Sequence, residues 1–141
     1  MSPTKGLVLD ANILMRAALG KQVLHLLETY AENTHFYSPD VCFADARHYL
    51  KEVLEKRGVN HQAGLSLLDK IGGIVEGVER SYYIEYEKLA RERVECRDPD
   101  DWPVAALALL LDLPIWTEDT DFFGSGIPTW TTKNVELYLR N

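Results

Sequence analysis

The stretch Gly6-Leu7-Val8-Leu9-Asp10-Ala11-Asn12-Ile13-Leu14 constrains this chain more than any other. An apolar run ends abruptly in a carboxylate, and a helical pattern of Ile13, Leu14, Ala17 and Ala18 follows without a loop. That arrangement reads as a buried parallel strand joined directly to a helix. It delivers Asp10 to the C-terminal edge of a sheet, where ligands of open α/β folds bind. An Asp there can also be a plain helix N-cap. What favours a site is repetition, because acids stand at two further element boundaries, near Asp101 and Asp119.

The remaining chain keeps the same rhythm. A helical pattern over about 21–32 carries Val23, Leu24, Leu26, Leu27 and Tyr30 on its apolar side. A short strand, His35-Phe36-Tyr37, precedes Ser38-Pro39, a helix start in which Ser caps and Pro takes the first helical position. The helix over about 39–57 has an apolar face of Cys42, Phe43, Ala46, Tyr49, Leu50, Val53 and Leu54, with Asp45 on its rim, and Gly58 ends it. Further helices are expected over about 61–70 and 82–94, with a short strand near 74–78 between them. The all-round apolar run Val104 to Leu111 predicts a helix buried against the sheet. Short strands at 114–117 and 129–131 and a terminal helix over 134–139, capped by Thr132, complete the pattern. No repeat or linker divides the chain, so residues 1–141 are read as one domain. Strands alternating with helices predict a three-layer α/β/α sandwich around a mainly parallel sheet.

Charge narrows the function. The chain carries 15 Lys plus Arg against 22 Asp plus Glu, a formal charge of -7. A passive nucleic-acid binder shows the opposite balance. An acidic chain can still act on phosphodiesters if its carboxylates hold cations and a local group of Lys and Arg holds the backbone. Cys42 and Cys96 have no metal-ligand spacing and read as reduced thiols of a cytoplasmic protein. No apolar run is long enough for a membrane span, and the N-terminus does not read as a signal peptide.

Asp10 and Asp119 each follow an apolar strand, Asp101 opens a buried helix, and Asp45 can reach the same edge from the side of its own helix. Four carboxylates brought together raise one another's pKa and need a counter-charge. Hard divalent cations with oxygen ligands supply it, and Mg2+ or Mn2+ fits best because both keep waters and accept phosphate oxygens.

Three segments resemble the signature segments of PIN domains: Leu7-Val8-Leu9-Asp10-Ala11-Asn12, Asp101-Trp102-Pro103-Val104-Ala105-Ala106-Leu107-Ala108 and Trp116-Thr117-Glu118-Asp119-Thr120-Asp121-Phe122. The resemblance implies a ribonuclease dependent on Mg2+ or Mn2+ that hydrolyses RNA phosphodiesters. It also implies a VapC-type toxin, with an antitoxin protein as partner and a homodimeric state. Carried over by position, Asp10, Asp101 and Asp119 would be the metal-site acids and Asp45 a further catalytic acid. Asn12, Asp121 and Asp98 would support them. Asp45 stands where the family usually has Glu, one methylene longer. Arg16, Arg47 and Lys51 are the basic residues expected nearest the RNA. The competing reading is a PIN-like module that binds RNA or protein without cleaving.

Overall fold

A computed structural model describes residues 5–94 and 98–141. The first four residues, on which the signal-peptide reading leans, and the Cys96 thiol lie outside the described residues. The elements run β1 (Lys5–Leu9), α1 (Ala11–Leu19), α2 (Gln22–Tyr30), β2 (Thr34–Pro39), α3 (Asp40–Lys56), α4 (His61–Ile71), β3 (Val75–Val78), α5 (Arg80–Tyr83), α6 (Glu87–Val94), α7 (Trp102–Leu111), β4 (Ile115–Trp116), β5 (Thr129–Trp130) and α8 (Val135–Leu139). The strands form one sheet in the order β3-β2-β1-β4-β5, parallel throughout. The expected α/β/α sandwich is therefore the fold.

Topology places the site. From β1 the chain steps outward to β2 and β3, then returns past β1 to β4 and β5. Right-handed crossovers put α1 to α4 on one face of the sheet and α5 to α7 on the other. The order reverses at β1, so the crevice beyond the ends of β1 and β4 is the switch point where such sheets bind ligands. Leu9 pairs with Trp116 in the β1–β4 register. The next residue of each strand, Asp10 and Thr117, therefore emerges side by side at that crevice.

The core explains why the elements hold. Leu7, Val8, Leu9, Ile115 and Trp116 are fully buried, as strands covered on both faces must be. Each such side chain contributes on the order of 1.5–3 kcal/mol by leaving water. In α7, Val104 through Ala108 are buried, and the alanines let the helix lie close to β1 and β2. No helix among the described residues is long and apolar enough to cross a membrane.

Four local expectations change. Ser38 does not cap α3: β2 continues through Pro39, paired to Val78, and the Ser38 hydroxyl donates to Leu9 O at 2.7 Å. Because the strand runs on to Pro39, α3 starts at Asp40 with Pro39 at the cap position, and Ser38 stands one residue too early to cap it. Residues 82–94 are not one helix but α5, a 3-10 turn at Ile84–Tyr86 and α6. Tyr83 and Tyr86, three apart, match the tighter repeat of a 3-10 turn. Tyr49 lies outside the core, 52 % exposed. Thr132 is not the cap of α8; its hydroxyl accepts from Trp116 Nε1 at 3.0 Å, and Asn134 stands at the cap position.

Candidate metal centre

Asp10 follows β1 and precedes α1, and its two carboxylate oxygens take different partners. Its Oδ1 accepts from the Ile13 amide at 3.0 Å, a helix cap, while Oδ2 accepts from the Thr117 hydroxyl. The residue is buried, and burial pushes its carboxyl up to about 6 even though both hydrogen bonds favour the charged form. Thr117 also accepts from the Asp119 amide at 2.9 Å, and Asp119 Oδ1 accepts from the Asp121 amide at 2.9 Å. This chain of Asx- and ST-type turns winds the segment after β4 into a 3-10 turn, Thr120–Phe122, beside Asp10. Glu118 accepts from the Thr132 amide at 2.9 Å, just beyond β5, and braces the same loop.

Asp101 comes from the opposite face of the sheet, at the N-terminus of α7. It stands at the N-cap position but makes no capping bond. Its Oδ2 is buried and has no hydrogen-bond partner among the described residues. Burial, then the charges of Asp119, Asp98, Asp10 and Asp121, push its carboxyl up to about 7. Carboxylate oxygens of Asp98, Asp101 and Asp121 lie within 4.8 Å of one another, close enough to hold one cation.

Two connected arms surround these acids. In the first, Asp10, Asp101 and Asp119 line one pocket together with Asn12, Arg16 and Glu118. The second, a cleft of about 570 Å³, brings Asp45 and Asp98 to Asp10 and Asp101 and adds Asp40, Tyr49 and Arg80. Both arms share Asp10 and Asp101, so every acid expected from the sequence lies at one edge of the sheet except Asp121, which joins through Asp98 and Asp101. The basic residues divide. Arg16 lies at the rim, its Nε donating to Asn12 Oδ1 at 2.9 Å. Arg47 instead pairs with Asp69 on α4, and Lys51 lines neither arm.

Sequence reasoning passed over Asp40, Tyr49, Arg80 and the bridging role of Thr117. The strand β3, two places from β1, brings α5 and Arg80 to the cleft, an adjacency no local pattern carries. Asp40 was legible only as a polar residue after Pro39.

The donor set fits a hard divalent cation. Carboxylate oxygens, hard donors of the kind such a cation takes, gather around the orphaned buried Oδ2 of Asp101. Cys42 also reaches the cleft, but burial pushes its thiol up to about 12, so it stays neutral.

Comparison with known proteins agrees with this fold. The profile described as PIN domain matches residues 8–140. No curated protein sequence matches the chain. The crystal structure of VapBC2 from Rickettsia felis bound to a promoter DNA fragment contains a chain with a TM-score of 0.70 and 16% identity, covering 89% of this chain and 98% of that one. A chain of FitAcB from Neisseria gonorrhoeae gives a TM-score of 0.59 and 19% identity, covering 90% of this chain and 98% of that one.

Proposed function

This chain belongs to the PIN domain family, and from that premise we propose that it is a metal-dependent endoribonuclease, the toxin of a toxin–antitoxin pair. The observation that carries the reading is the orphaned Oδ2 of Asp101, buried within a ring of carboxylates from both faces of the sheet. Asp10, Asp101 and Asp119, with Asp98 and Asp121 beside them, would hold Mg2+ or Mn2+. A bound divalent ion supplies charge neutralisation for the phosphodiester and lowers the pKa of a water molecule.

The chain's own residues do the rest. Thr117 fixes the orientation of Asp10, and Thr117 with the Asp121 amide fixes Asp119. Asp45, exposed on α3 at the same cleft as Asp101, would orient water. In this reading water is the attacking group and no side chain acts as a covalent nucleophile; burial keeps the Cys42 thiol neutral at the edge of the cleft. Asn12 and Arg16 present a donor face at the rim for phosphate oxygens.

The toxin role and the antitoxin partner rest on the family resemblance and on likeness to chains of VapBC2 and FitAB, which are complexes bound to DNA. A homodimer and a cytoplasmic setting belong to the same reading, as does a single domain over the whole chain. The test is cleavage of single-stranded RNA by wild type and by Asp101→Asn with Mn2+. Asn keeps the shape and removes one charge, so cleavage should fall by orders of magnitude if Asp101 helps hold the metal. Unchanged cleavage removes Asp101 from the site. RNA bound equally by both proteins and cut by neither favours a non-catalytic module.

A further inference from the structure

A chain of charge -7 built around an acidic centre repels the backbone it must hold. The centre itself cannot supply the attraction until cations neutralise it. Three exposed cations, Arg16, Lys21 and Arg57, stand beside it. Beyond Asn12 and Arg16, which rim the acidic pocket, a groove of about 360 Å³ continues along α1 to Lys21 and Arg57. Asn12 and Arg16 line both the pocket and the groove, so the two are continuous.

The composition of this groove is the reverse of the cleft's. Arg16, Lys21 and Arg57 line it and no carboxylate does. All three side chains are exposed, and none is paired with an acid among the described residues. Other arginines near the site are engaged: Arg47 with Asp69, Arg80 and Arg91 with Glu87. The floor is apolar, with Met15 half-buried and Leu19 38 % exposed. From Asn12 to Leu19 the helix rises roughly 10 Å, room for more than one phosphate.

We infer that the α1 groove of Arg16, Lys21 and Arg57 is a binding track for the RNA backbone leading out of the acidic centre, an inference that rests on the nuclease reading. Phosphates lie against the three cations, and a base covers the Met15–Leu19 floor. Arg16 stands at the junction, where its bond to Asn12 holds the guanidinium toward both arms. An RNA strand is favoured over an acidic protein segment because the track opens directly onto the carboxylates that would act on a phosphodiester.

The test compares two double variants with equal charge. Lys21→Gln/Arg57→Gln empties the far end of the groove; both side chains are exposed and neither makes a side-chain hydrogen bond among the described residues. Lys70→Gln/Lys88→Gln removes the same charge from α4 and α6, away from the groove. Binding of a short labelled single-stranded RNA is followed by fluorescence anisotropy with chelator, against salt. The groove variant should bind about tenfold more weakly at low salt, and its salt dependence should flatten by about 1.4, at about 0.7 per phosphate contact. The control variant should stay near wild type on both counts. Equal weakening in the two variants overturns the inference, since net charge alone would then explain it. Retained RNA binding with lost binding of a polyglutamate peptide also overturns it, in favour of a protein partner. Cleavage by wild type with Mn2+, scored separately, reports on the nuclease reading and not on the track.

Discussion

Thr117 donates its hydroxyl to Asp10 Oδ2 across the seam between β1 and β4. The Leu9–Trp116 register sets the two side by side, and the same hydroxyl accepts from the Asp119 amide. One small side chain therefore couples the first acid of the site to the third.

Thr117→Val keeps the shape and removes both bonds. A buried carboxylate then loses a donor and a backbone amide loses its acceptor, which costs on the order of 1–3 kcal/mol. The denaturant midpoint should fall with unchanged slope, and Thr117→Ser should recover most of the loss. A valine variant as stable as wild type would show that the bond contributes nothing.

Without metal, the raised carboxyls make the folded state a better proton binder than the unfolded chain. Asp10 is pushed to about 6 and Asp101 to about 7, mainly by burial, with Asp119, Glu118, Asp98 and Asp121 as the facing charges. The stability these protons confer is complete below about pH 4 and is lost as pH rises through 6 to 7. Asparagine at 101 does not ionise, so in chelator Asp101→Asn should gain stability over wild type progressively across that window. Urea unfolding at several pH values checks this, and a pH-independent difference would sink it.

A divalent cation should reverse the trend. Mn2+ binds the deprotonated acids, so it should raise the melting temperature more near pH 8 than near pH 5. Binding without RNA should be weak, because Mg2+-type sites commonly borrow phosphate oxygens. At tenfold excess over Kd the gain is about 1.4 kcal/mol. Asp10→Asn should shrink the shift. A null calorimetric titration at millimolar Mn2+ for both proteins would count against the site.

Gly126 has φ +83°, and a Cβ there would fall on the Arg93 guanidinium, which donates to Ser125 O at 2.8 Å. Ser125 in turn ties the loop to Phe122 O at 2.6 Å, next to Asp121. Gly126→Ala should cost about 1–3 kcal/mol from the backbone alone. Thermal unfolding measures it, and a loss below a few tenths of a kcal/mol would show that the loop relaxes freely.

Much of the fold was legible because its signals are local. Apolar runs, helical periodicity and the acids at Asp10, Asp101 and Asp119 sit within short windows of chain. Tyr49 was misplaced because a helix face covers more than the core contact, and residues at its margin belong to whatever the neighbouring elements leave open. Ser38 was misplaced for a related reason: pairing with β3, on another segment of the chain, carries β2 through Pro39 and moves the helix start one residue beyond Ser38.

The amino-acid order alone thus dictates which segments become strands and helices and which of them end in acids, since hydrogen bonding and periodicity act over a few residues. It does not say which ends become neighbours. The β3-β2-β1-β4-β5 order does that, by bringing β4 beside β1 so that Thr117 meets Asp10, and by carrying Arg80 to the cleft while Asp69 takes Arg47 away. Burial set by those neighbours, which no single segment contains, is what raises the Asp10 and Asp101 carboxyls and leaves Asp101 Oδ2 without a partner among the described residues.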